Sequence, residues 1–103
     1  MLTLDEDLRS RLPPFFAQEA ELDPVVFLRF HLPGTEWAWY AIEGEAEGDD
    51  FRFYGFIAGA SNSFGSFTLS QLRRQYSPDG AGVELDAMFQ PGRLTSVVPV
   101  PDL

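Results

Sequence analysis

Glu43, Glu45, Glu47 and Asp49 recur at every second position, and Asp50 follows directly. If the stretch is extended, alternate side chains point the same way, about 7 Å apart at a rise of roughly 3.4 Å per residue. A row of carboxylates at that pitch resembles the spacing of phosphates along a nucleic-acid strand. Its chemistry is that of a charged surface offered to a basic partner. Glu84 and Asp86 repeat the alternation and could join it. The competing reading is an exposed hairpin end, with Gly44 and Gly48 making the turn and the acids only facing water, since Gly is depleted in strand interiors. The two readings are compatible, because a solvated acidic hairpin is what a basic partner would meet.

Other chemistry is thin. His31 is the only His. With Glu36, Glu43 or Asp86 it could hold Mg²⁺ or Mn²⁺, or act in a hydrolase, but no spacing requires either. A lone His on the half-polar face of a strand is ordinary surface. There is no Cys, which excludes disulfides and thiolate metal sites. Gly55, Gly59 and Gly65 lack the spacing and the following helix of a dinucleotide fingerprint. The expectation is a non-enzymatic domain with no cofactor and no metal.

The charge balance points the same way. Sixteen acids against seven bases, all Arg, leave a net charge of -9. That disfavours direct nucleic-acid binding and an anionic membrane surface, both of which need clustered positive charge. It permits steering toward a basic or nucleic-acid-binding protein surface, and it also keeps an aromatic-rich small protein soluble. Ten Phe within 45% hydrophobic residues supply a core for one domain of 103 residues. MLTLDEDLRS is acidic where a secretory signal has a basic start and an apolar run, and no stretch has the length of a membrane span. A cytoplasmic protein is expected.

The elements that must position these residues follow from the pattern. Thr3 and Glu6 fit a capping box, and Leu4, Leu8 and Leu12 form a stripe, predicting a helix over residues 4–12 that Pro13-Pro14 stops. Pro13 to Pro24 is an irregular connection in which Phe15 and Phe16 should anchor to the core, with Gln18 and Glu19 in a polar loop. Val25 to Leu32 is a strand with its even residues inward, and Pro33-Gly34 suggests a hairpin into a strand from Trp37 to about Glu45. There Trp37, Trp39 and Ala41 share a face with Glu43, Glu45 and Glu47 if the strand continues.

Phe51 to Ala60 places aromatic residues on both faces, as a central strand covered on both sides would. Gly55 and Gly59 mark a bulge or close packing. Phe64 to Leu69 is a short strand. Thr68 and its neighbours cap a helix through Tyr76, with Leu69, Leu72 and Tyr76 inward. Val83 to Phe89 alternates as a half-buried strand, Leu94 and Val97 are packing candidates, and Val98-Pro99-Val100-Pro101 is an extended tail. The fold class is α+β: an antiparallel sheet of about five strands with the N-terminal helix and one further short helix packed on it.

The chain resembles the small bacterial, plasmid and phage proteins grouped as domain of unknown function 2958. The residues that carry the resemblance are Leu12-Pro13-Pro14 with Gln18-Glu19, then Trp37, Trp39, Tyr40, Ala41 and Glu43. Phe53, Tyr54, Gly55 and Gly59 continue it, followed by Gly65, Phe67, Leu69 and Leu72, and by Asp86, Phe89, Pro91 and Leu94. Ser61-Asn62-Ser63 is less acidic than its counterpart in that family. The resemblance implies no chemistry that maps onto residues. It implies a mobile-element context in which small acidic proteins blunt restriction or CRISPR defences.

Two binding functions are therefore expected. One is a DNA mimic presenting Glu43, Glu45, Glu47, Asp49 and Asp50, joined by Glu84 and Asp86, to a basic site of a defence complex. The other is an aromatic interaction module built on Trp37, Trp39 and the adjoining sheet face.

Overall fold

The computed structural model describes residues 2–98. The elements in order are α1 (Glu6–Ser10), β1 (Val25–Val26), β2 (Leu28–His31), β3 (Ala38–Glu47), β4 (Asp50–Ala58), β5 (Ser63–Thr68), α2 (Leu69–Arg73), β6 (Glu84–Leu85), β7 (Gly92–Arg93) and α3 (Leu94–Val97). Five strands form an antiparallel sheet in the order β5-β4-β3-β2-β6, while β1 pairs with β7 in a second, two-stranded sheet. The architecture is α+β, as predicted, with α3 as an additional helix. The tail expected over Val98–Pro101 lies outside the described residues from residue 99 onward.

The main sheet buries both faces. On one, Phe53 is fully enclosed, its ring 5.3, 5.1 and 5.2 Å from those of Phe30, Phe51 and Phe67. Leu4 and Leu12, which flank α1, pack there with Leu69 and Leu72 of α2. On the other face Val26, Tyr40, Ile42 and Phe56 pack against Leu94 and Val98. Burial of each Phe is worth roughly 2–3 kcal/mol, so β4 lies at the energetic centre. Covering on both sides, expected for the whole strand, holds only around Phe56: from Asp50 to Tyr54 burial alternates and Tyr54 is exposed.

Several boundaries differ from the sequence expectation for local reasons. The N-cap of α1 is Asp5, not Thr3, and its carboxyl oxygen accepts the Leu8 amide at 2.9 Å. The strand expected over Val25 to Leu32 breaks at Phe27, because Val26 packs on one face of the sheet and Leu28 on the other. Thr68 does cap α2, in a reciprocal box with Gln71, but the helix ends at Arg73 and Tyr76 is 65% exposed rather than inward. β6 is cut to two residues because the Asp86 side chain takes the Met88 amide and turns the chain.

One irregularity governs the acids. β3 and β4 pair Ala41 with Gly55 and then Glu43 with Tyr54, so Ile42 is an extra residue. A bulge reverses the faces that follow it. Glu43, Glu45 and Glu47 consequently lie on the Tyr54 side of the sheet, opposite Trp39 and Ala41, not beside them as simple alternation predicted. Gly55 makes the bulge feasible: a Cβ there would lie 1.9 Å from the Tyr40 carbonyl oxygen. Gly44 is buried within β3, and the turn is made by Gly48 and Asp49, with Gly48 at φ 61°.

Candidate functional site

The seven acids singled out by spacing are not brought together. Glu43 is 4% exposed, and its two carboxyl oxygens accept the amides of Phe16 at 3.0 Å and Gln18 at 2.8 Å. It is a peg for the preceding loop, and burial removes it from the surface row. Glu45 is exposed and accepts the Phe15 amide at 3.0 Å. Glu47 is clasped by Arg52 at 2.7 and 3.0 Å, and that hydrogen bond holds its carboxyl below the usual range. Asp49 is exposed in the turn.

Asp50 faces inward along the chain, accepting the Ser70 hydroxyl at 2.5 Å, the Ser70 amide at 3.1 Å and the Phe51 amide at 2.8 Å. The Ser70 hydroxyl is the main reason its carboxyl lies below the usual range. It ties the start of α2 to β4. Asp86 pairs with Arg29 at 3.1 Å, and Glu84 lies 3.9 Å from the His31 ring. Glu84 is level with His31 and Ala38 in the sheet, so roughly 30 Å of strand separates it from Glu47. The acids thus divide into pegs, ion pairs and a short exposed tip. Among the described residues no group of three or more His, Asp or Glu could hold a metal.

The loop pegged by Glu43 builds a different feature. Gln18 ties it down a second time: its amide nitrogen donates to the Val25 and Ile42 carbonyls, and its oxygen accepts the Val25 amide. Held at both points, Phe16 takes φ 71°, a left-handed conformation that costs a bulky residue roughly 1–2 kcal/mol. Its side chain is not a core anchor but 72% exposed, and Leu22 is fully exposed. Tyr54 and Phe64 stack on each other at 6.3 Å. These four residues, with Phe15 and Pro24, line a cleft of about 460 Å³ whose charged lining, among the described residues, is Glu19, Glu21 and Glu43.

Sequence reasoning placed Phe16 in the core and missed this cleft. The Phe15-Phe16 pair inside an aperiodic stretch was the available signal.

The two Trp residues divide as well. Trp39 is buried, while Trp37 stacks on it at 6.0 Å and remains 37% exposed. Gly59 lies under the Trp37 ring, where a Cβ would come within 2.2 Å of it. On that face a second, wider cleft of about 820 Å³ runs past Trp37, Ile57, Phe67 and Tyr76, with Glu36 its only charged lining residue among the described residues. No family model, no curated protein and no solved structure matches the chain.

Proposed function

We propose that this domain is a non-enzymatic protein-binding module that takes a basic segment with an apolar anchor into the cleft of Phe16, Leu22, Tyr54 and Phe64. The observation that supports it is Phe16, held left-handed by a buried carboxyl and presented to solvent. A loop selected for stability alone would favour Gly at that backbone conformation or bury the ring. Exposed aromatics grouped with Leu22 are the usual anchors of an interface. Of the cleft acids, Glu43 is taken up by the Phe16 and Gln18 amides and Glu21 pairs with Arg93 at 3.1 Å, so exposed Glu19 and the net charge of -9 are what favour a basic partner. Tyr54 and Phe64 offer ring faces to an Arg or Lys head group. The basic partner of the DNA-mimic expectation, and the mobile-element context implied by the family resemblance, are retained; the contact moves from the row of acids to the cleft.

The test is fluorescence polarisation with synthetic decapeptides alternating Arg with Leu, Val or Phe, beside the same peptides with Glu for Arg. The basic set should bind and the acidic set should not. Phe16→Ala and Leu22→Ala should each weaken binding about tenfold, equivalent to about 1.4 kcal/mol, with circular dichroism unchanged. Equal binding by wild type and both variants, or no binding by the basic set, would overturn the reading.

A further inference from the structure

The two edges of the main sheet are treated differently. β6 is two residues long and carries Glu84, with the Arg29–Asp86 pair beside it. Short, charged edges guard against stray strand pairing. β5 runs six residues, Ser63–Thr68, with no charged residue and no Pro. Among the described residues, no backbone bond reaches Ser63 to Phe67 apart from the ladder to β4. The outward N–H and C=O groups of that stretch are open to a partner.

Gly65 adds a second, independent observation. Its backbone is not left-handed, and a Cβ there would meet nothing closer than the Ile57 Cδ1 atom at 3.6 Å. The absent side chain leaves open space on that face of the edge strand beside Ile57, room for a side chain of a chain lying alongside. Both clefts also reach this strand, one at Phe64 and the other at Phe67 on the opposite face. Among the described residues, the charged residues lining either cleft are acids, of which Glu19 and Glu36 are exposed while Glu21 is paired with Arg93 and Glu43 is a buried peg.

We infer that an extended segment of a partner protein, with basic and apolar side chains, adds to the outer edge of β5 as a sixth strand. Backbone bonds supply the pairing, and alternate side chains enter the two clefts. This rests on the protein-binding reading above and adds the backbone geometry of the contact. A second copy of this chain fits worse, since two copies of charge -9 would bring acid-lined clefts together.

The test uses the decapeptide alternating Arg with Val, N-methylated at one backbone position at a time. Strand addition predicts that methylation at one parity of positions weakens binding at least about tenfold while the other parity is tolerated, because alternate amides point toward the edge. Amide exchange along Ser63–Phe67 should slow on binding. Gly65→Leu should weaken binding about tenfold without lowering Tm. If the peptide binds with no parity and β5 amides exchange unchanged, the edge inference falls and the protein-binding reading stands. If the unmodified peptide does not bind, both fall. Protection of β5 by self-association of the free protein would replace the partner strand with a second copy and overturn the inference.

Discussion

The Phe16 amide donates to the Glu43 carboxyl at 3.0 Å across 27 residues of sequence, while the Phe16 ring faces solvent. One bond thus joins a buried acid on a central strand to an exposed aromatic on a surface loop. Stability and presentation are coupled at that point.

Phe16→Gly should raise stability, because Gly takes φ 71° without the steric cost and little apolar burial is lost. The gain should be about 1 kcal/mol in urea unfolding, reduced somewhat by the greater freedom of Gly in the unfolded chain. Peptide binding should fall at least about tenfold in the same variant. A variant that is more stable and still binds would mean that Phe16 is not the anchor.

Glu43→Ala removes the acceptor of two part-buried amides, which should cost about 1–3 kcal/mol. The same change should open the loop between residues 14 and 20 to limited proteolysis before the sheet unfolds. Uniform loss of protection over the whole chain would show that the loop and sheet unfold together.

The pH dependence has a definite sign. Asp50 has its folded pKa lowered, chiefly by the Ser70 hydroxyl, and Glu47 by the Arg52 hydrogen bond. Stability from lowered carboxyls is fully present above their unfolded values of about 4 and is lost as pH falls through the folded ones. Asp50→Asn should therefore flatten the acid limb of a stability–pH curve. At neutral pH it should cost about 1 kcal/mol through the weakened hold on α2. An unchanged acid limb would contradict this role.

Gly59→Ala should push the Trp37 ring off its seat and shift Trp emission to the red, with little loss of stability since Trp37 is already part-exposed. Gly55→Ala should cost about 3 kcal/mol or more, because the clash is with backbone that cannot move without undoing the bulge.

Charge reversal separates the cleft from the hairpin tip. Glu19→Lys should weaken the basic decapeptide about threefold to fivefold, less so at high salt, as for an exposed ion pair. Glu45→Lys with Glu47→Lys should change it less than about twofold, because Glu47 is already matched by Arg52. The opposite order would return the contact to the acidic row.

Much of the framework is legible in the sequence. The even-face core at Leu28, Phe30 and Leu32, the hairpin at Pro33-Gly34, the cap at Thr68 and the close contacts at Gly55 and Gly59 all follow from local pattern and turn chemistry. Tyr76 was misread because helical spacing was carried past Arg73, where the helix stops. The face of the acids was misread because alternation assumes an unbroken register, and the bulge adds one residue at Ile42.

The sequence by itself determined the fold class, the apolar faces and the sign of the surface charge, since these depend on neighbours a few residues apart. Tertiary structure decided which acids remain free and which aromatic is shown. Glu43 is neutral to local pattern and becomes a buried peg only when a loop 25 to 27 residues earlier folds across it. Phe16 is exposed for the same reason: amide donors far from Glu43 in sequence set its backbone, and no short-range periodicity encodes that pairing.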